Sequence, residues 1–287
     1  MTYFYQISGI KIRIELPFEM TVSKESQEFL KSDSDVDFIF KLIPVPCLSM
    51  PKHSGTWMVN ACYYVEDSGY SVYHCPVRGD IPYAHVLWQR QTPKLLLCEY
   101  VTGQEQMLCH SRDILELLGL ESVMLQHDAL LLHASFVRWK GKGILFTAPS
   151  GTGKSTQANL WEQYSGAEIL NGDRAALRKR DDSWYAWGLP YAGSSGIYRN
   201  ESSPIAALVV LRQAKENRIH RISAGEAMRY IYPELTIHRW DAAYVSRAID
   251  LFLELADQVP VFLLECLPNR GAVQLLEDQL TERGGRL

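Results

Sequence analysis

The apolar and polar positions of this chain follow two different rhythms. From residue 3, "YFYQISGIKIRIELP" alternates on either side of Ser8-Gly9, the pattern of two half-buried strands around a tight turn. "DFIFKLIPVP" reads as a strand ended by prolines, and "TWMVNACYYVEDSGYSVYHCPV" as a hairpin turning at Asp67-Ser68-Gly69. "YAHVLWQRQTPKLLLCEYV" supplies two more strands. The first 105 or so residues therefore predict antiparallel β structure. One helix is expected over about 111–125, with Ile114, Leu117 and Leu118 on its apolar side and Ser111 as its cap.

From about residue 128 the rhythm changes. "ALLLHASFVRW" and "GILFTA" are apolar runs flanking "KGKG", a hairpin signal. A helix is expected from Ser155 to Tyr164, then a strand at "AEILNGD" and further strands at "SWYAWGLP", "IAALVVLR" and "VPVFLLEC". "SAGEAMRYIY" and "DAAYVSRAIDLFLELA" have helical spacing. In the second of these, Tyr244, Ala248, Phe252 and Leu255 form one stripe, read as core packing. "NRGAVQLLEDQL" closes the chain as a helix capped by Asn269. The mixture predicts an α/β domain preceded by a β-rich one, divided as 1–125 and 126–287.

Composition adds little to this picture. A net charge of −4 over 287 residues argues against non-specific binding of nucleic acid. No apolar run reaches the length of a membrane span, and the N-terminus lacks the pattern of a signal peptide, so the expectation is a cytoplasmic protein with no membrane partner. Six scattered cysteines without a CxxC read as reduced thiols.

The candidate chemistry centres on "TAPSGTGKST" at 147–156, which follows G-x-x-x-x-G-K-[ST] with Ala148 in place of the first glycine. Gly151 and Gly153 free the backbone to turn its N–H groups inward. The helix that follows presents its positive end to the same anion. Ser150, Gly151, Thr152, Gly153, Lys154, Ser155 and Thr156 are thus the expected nucleotide-binding residues. Lys154 reaches the terminal phosphates, and Ser155 places a hydroxyl on Mg²⁺. Asp173 follows Lys154 by 19 residues, at the tip of the next strand, and is the expected second metal ligand and catalytic carboxylate. A hairpin turning at Lys140–Lys142 puts His133 opposite Ala148–Ser150, at the rim of the loop.

His133, the loop and "LNGDR" together resemble the HPr kinase/phosphorylase family, which shares a phosphoenolpyruvate-carboxykinase-like fold. The matching stretch runs from about Leu130 to Leu211. The family's paired aspartates are here Asp173 and Arg174. The family's Gly-rich segment corresponds to "WGLPYAGSSG" at 187–196. The pattern is closer to HPr-kinase-like proteins of bacterial biosynthetic clusters than to HPr kinases themselves. The resemblance implies a nucleotide-binding domain of that fold. It also implies ATP and Mg²⁺ as cofactors, and phosphoryl transfer to a serine hydroxyl on a peptide or protein. Catalysis would fall to Asp173, Lys154 and His133. Arg174, Gly193, Ser194, Ser195 and Arg199 are candidate contacts to the acceptor or the transferred group. Related kinases form rings or dimers, so a homo-oligomer stays open. Two alternatives also stay open: a kinase for a small hydroxylated molecule such as free serine, and a nucleotide-gated binding module without catalysis.

Overall fold

The computed structural model describes residues 1–32, 35–50, 55–79, 81–90 and 94–284. It is an α/β structure with two large mixed sheets. By contacts the chain divides into two units. The first is Met1–Gln126 together with Arg239–Ala242, and the second is His127–His238 with Ala243–Leu287. A contiguous division at 125/126 leaves out the four-residue return to the first unit.

The first unit holds β1 (Thr2–Ile7), β2 (Ile10–Glu15), α1 (Lys24–Gln27), β3 (Phe38–Val45), β4 (Thr56–Met58), β5 (Ala61–Glu66), β6 (Gly69–His74), β7 (Ala84–Gln89) and β8 (Leu95–Val101). Two helices follow, α2 (Ser111–Leu117) and α3 (Leu120–Gln126). The sheet order is β1-β2-β3-β8-β7-β6-β5-β4. Alternation along β2 buries Ile10, Ile12 and Ile14 completely, and Phe38, Phe40, Leu96 and Cys98 join the same core. The purely antiparallel expectation is corrected at the centre, where β3 runs parallel to both β2 and β8. Those connections are crossovers rather than hairpins, and strand-by-strand alternation does not distinguish them.

The single helix expected over 111–125 is two helices. Gly119 takes φ +59° between them, a left-handed conformation that ends α2. Ser111 is not the cap. His110 occupies that position, and the Ser111 hydroxyl instead donates to Ser26 and accepts from the Ser23 backbone N–H at 2.9 Å. The return segment carries Trp240, whose ring stacks on Tyr63 at 4.2 Å and meets Tyr70 edge-on at 4.8 Å. Asp241 beside it is buried and paired with Arg90 at 2.7 Å.

The second unit runs β9 (Ala129–Trp139), β10 (Lys142–Thr147), α4 (Lys154–Ser165), β11 (Glu168–Asn171), β12 (Arg174–Arg180), β13 (Ser183–Gly188) and β14 (Ser202–Gln213). It continues with β15 (Arg218–Ile222), α5 (Ala224–Ile231), α6 (Ala242–Gln258), β16 (Val261–Cys266) and α7 (Arg270–Gly284). β12 and β15 have no counterpart in the sequence reading. The sheet order is β10-β9-β12-β13-β14-β16-β15, with β10 also paired to β14 and β11 to β9. β9 and β14 are long enough to change neighbours along their length. β10, β14 and β16 are parallel, so their carboxyl ends share one edge of the sheet.

The core of this unit joins Val137, Ile144, Phe146, Val209, Leu211, Phe262 and Leu264 to Ala158 and Trp161 of α4 and to Val273 and Leu276 of α7. Ala248, Phe252 and Leu255 of the α6 stripe are fully buried, and Tyr244 stacks on His238 at 4.6 Å. Asn269 caps α7, its side chain accepting from the Ala272 N–H at 3.2 Å. No helix among the described residues is long and apolar enough to cross a membrane, and no disulfide joins the six cysteines.

Candidate functional site

The site is built where β10 ends. The β9–β10 hairpin turns through Lys140 and Gly141, which pairs Trp139 with Lys142 and carries the register to Thr147 opposite Ala134. His133 is thereby level with Ala148, and the Thr147 hydroxyl donates to the His133 carbonyl at 3.0 Å. β12 begins on the other side of β9 with Arg174 opposite His133, and the Ala134 N–H donates to the Asp173 carbonyl at 3.0 Å. The end of β10, the middle of β9 and the start of β12 are therefore at one level of the sheet.

Residues 148–153 turn out of β10 into α4. Gly151 and Gly153 have φ of +78° and +119°, values that side chains other than glycine rarely adopt. Open space surrounds Gly151 where a Cβ would stand. The loop backbone is free to face a ligand, as the fit to a phosphate group requires. Lys154 is only 8% exposed, and its ammonium donates to the Ala148 carbonyl at 2.8 Å. Burial lowers its pKa, and the negative charges of Glu234 and Asp173 oppose that shift. Both carboxylates thus act on the lysine of the loop. Ser155 and Thr156 lie exposed in the first turn of α4, and Ser150 is exposed ahead of it.

His133 is held between two acids. Its Nδ1 lies 2.9 Å from Glu234 Oε2, and its Nε2 lies 3.7 Å from Asp173 Oδ1. The sequence reading did not include Glu234. It ends a 3₁₀ turn, Tyr232–Glu234, after α5. The next residues dock along β9, where the Thr236 N–H donates to the Leu131 carbonyl and Leu235 bridges Leu132. That docking delivers Glu234 to the ring, and the residue is only 9% exposed. An ionised carboxylate only accepts, so an N–H on Nδ1 donates to Glu234, and Nε2 is the ring atom that faces Asp173. The 3.7 Å gap is wider than a hydrogen bond. A carboxylate oxygen and a ring nitrogen therefore face one small space.

Asp173 is framed from behind by Asn171, fully buried, whose Oδ1 accepts the N–H groups of Asp173 and Arg174 at 2.9 and 3.0 Å. The same carboxamide donates to the carbonyls of Leu189 and Tyr191. Gly193 packs against the Asp173 carboxyl so closely that a Cβ there would come within 2.7 Å of its Cγ. Ser195 lies against Gly172, its hydroxyl donating to the Ala192 carbonyl at 2.7 Å. Arg174 stands 3.7 Å from the second oxygen of Asp173 and donates to the Thr236 hydroxyl at 2.6 Å.

Of the residues singled out in the sequence, His133, Lys154, Asp173, Arg174, Gly193 and Ser195 come together. Ser194 belongs to the same short turn, Gly193–Ser195. Arg199 is located by its backbone, which lies against Gly188. Asn171 and Glu234 are the additions. An asparagine two residues before the acid is the local sequence feature for the first, and its burial is a finding of the structure. The second depends on a contact across 101 residues.

Fold and site define an α/β protein with a strand–glycine loop–helix unit flanked by an Asp–His–Glu cluster. Residues 96–270 match the model of the family described as SynChlorMet cassette protein ScmC, and the chain belongs to that family. Among solved structures it is similar to the Hpr(Ser) kinase/phosphatase from Coxiella burnetii, at 14% identity and a TM-score of 0.30, over 54% of this chain and 89% of that one. A likeness that slight carries no argument about fold or activity. No curated protein matches the chain.

Proposed function

We propose that this protein transfers a phosphoryl group from ATP, bound with Mg²⁺, to a serine-type hydroxyl on a peptide or protein, in a second unit that is a nucleotide-binding domain of the phosphoenolpyruvate-carboxykinase-like kind. The observation that carries the reading is the pairing of Asp173 Oδ1 with His133 Nε2 at the level where the glycine loop leaves β10. The Asp173 carboxylate accepts, and a ligand O–H has one proton to give it. The family's designation as a cassette protein is consistent with a peptide acceptor.

Residues 150–156 would hold the nucleotide, with Ser155 and Asp173 on the metal. ATP with its metal supplies the transferable phosphoryl group. Lys154 neutralises charge at the reacting end. Asp173 receives the one hydroxyl proton, and His133, with Nε2 next to Asp173, borders the hydroxyl. Glu234 fixes the tautomer and direction of the His133 ring and is a positioning residue. Gly193, Ser194 and Ser195 border the acceptor, and Arg174 and Arg199 are proposed to counter charge on the transferred phosphoryl group. The β-rich first unit is assigned to partner recognition.

The test is transfer from labelled ATP to serine-bearing peptides and to free serine. K154M and D173N should each cost about 10²–10⁴-fold in kcat. E234Q should lower kcat by up to about 10⁴-fold, the loss expected when the acid that orients a catalytic histidine becomes an amide. Transfer to free serine alone would redirect the proposal to a small-molecule kinase. ATP binding with no transfer to any hydroxyl would overturn the kinase reading and leave a nucleotide-gated module.

A further inference from the structure

On the opposite flank of β10 from His133 and Asp173 lies a cavity of about 360 Å³. One side is the glycine loop and the first turns of α4, with Gly151, Gly153, Thr156 and Gln157. The other side is formed by the ends of β14 and β16, with Leu211, Ala214, Leu267 and Pro268. The cavity therefore lies outside the carboxyl ends of three parallel strands, where open α/β sheets take their ligands.

We propose that this cavity takes the nucleoside portion, base and ribose, of the nucleotide whose phosphates lie on residues 150–156. The inference rests on the nucleotide reading of that loop and adds the direction in which the ligand lies. β10 is paired with β9 on one side and β14 on the other. The acids and the histidine stand on the β9 side, and the cavity stands on the β14 side. A triphosphate crossing the loop has its reacting end toward Asp173, which leaves its nucleoside end toward the cavity.

The size and chemistry agree with this. The volume falls at the lower end of the ~300–1,000 Å³ of small-ligand sites. Leu267 and Pro268 offer exposed aliphatic surface to the face of a ring. The wall is braced in advance. The Leu267 N–H donates to Asn217 at 2.8 Å, Asn217 donates to Asn269 at 2.9 Å, and the Ala214 N–H donates to the Cys266 carbonyl at 3.2 Å. Gln157 forms the floor, 3% exposed. It donates to Cys266 Sγ at 3.3 Å, and its Oε1 has no partner among the described residues.

Calorimetric affinities for MgATP and for inorganic tripolyphosphate test the assignment in the full chain. The wild type should bind ATP about tenfold more tightly or better. L267D, on the exposed wall, and A214W, which fills the cavity, should each remove that advantage and leave tripolyphosphate affinity within twofold. Retained tripolyphosphate binding also reports that each variant is folded. If both variants bind ATP as the wild type does, or if the nucleoside adds nothing to wild-type affinity, the cavity assignment is wrong and the loop reading stands. If the wild type binds neither compound, the loop reading itself fails, and this inference fails with it.

Discussion

Lys154 sits in an environment that opposes its own charge, and this sets a pH dependence. Burial lowers its pKa, and Glu234 and Asp173 recover only part of the loss. A lysine with a depressed folded pKa is less stable charged than in the unfolded chain, so its contribution to stability improves as pH rises through that pKa. Phosphate binding runs the other way because it needs the proton. Affinity for tripolyphosphate should therefore decline at a pH below the ~10.4 of an ordinary lysine. K154R should stay level over the same range, since arginine keeps its charge. A wild-type profile flat to pH 10 would count against a charged Lys154 at the phosphates. At this scale the sequence was informative wherever the signal is local. Gly151, Gly153 and Lys154 declare themselves by spacing, and His133 follows by counting back from the Lys140-Gly141 turn. Glu234 does not, because nothing near "YPELT" shows that it meets a ring on β9.

Among the elements, α4 has two tasks, since it starts at the loop and anchors the sheet. Trp161 is fully buried, edge-on to Trp139 at 5.3 Å and tilted against Phe146. Its indole N–H has no partner among the described residues, so its value is in its volume. W161A should cost about 3–5 kcal/mol in urea unfolding and W161F less than about 2 kcal/mol. A loss under 1 kcal/mol for W161A would mean that α4 is not pinned by this side chain. The elements that escaped sequence reading share a cause. β15, "RIHRI", lies at one end of the strand order and carries charged residues, as edge strands do. β12, "RAALRKR", is apolar only at its centre. The apparent helix over 111–125 kept its apolar spacing across Gly119, and only the sign of one backbone angle divides it.

For the molecule as a whole, the notable feature is the return of residues 239–242 to the first unit. No composition shift marks it, because its evidence is a ring stack with Tyr63 and an ion pair with Arg90, each far away in the chain. W240A should speed hydrogen exchange of the β5 and β6 amides and leave those of β9 and β10 unchanged. Unaltered exchange in β5 and β6 would remove the stabilising role given to the indole. The same excursion bears on how such proteins can be recombined. A chimera made with one crossover near residue 126 inherits its tyrosines from one parent and its tryptophan from the other. Two parents can trade these halves cleanly only if a second, four-residue patch travels with the first.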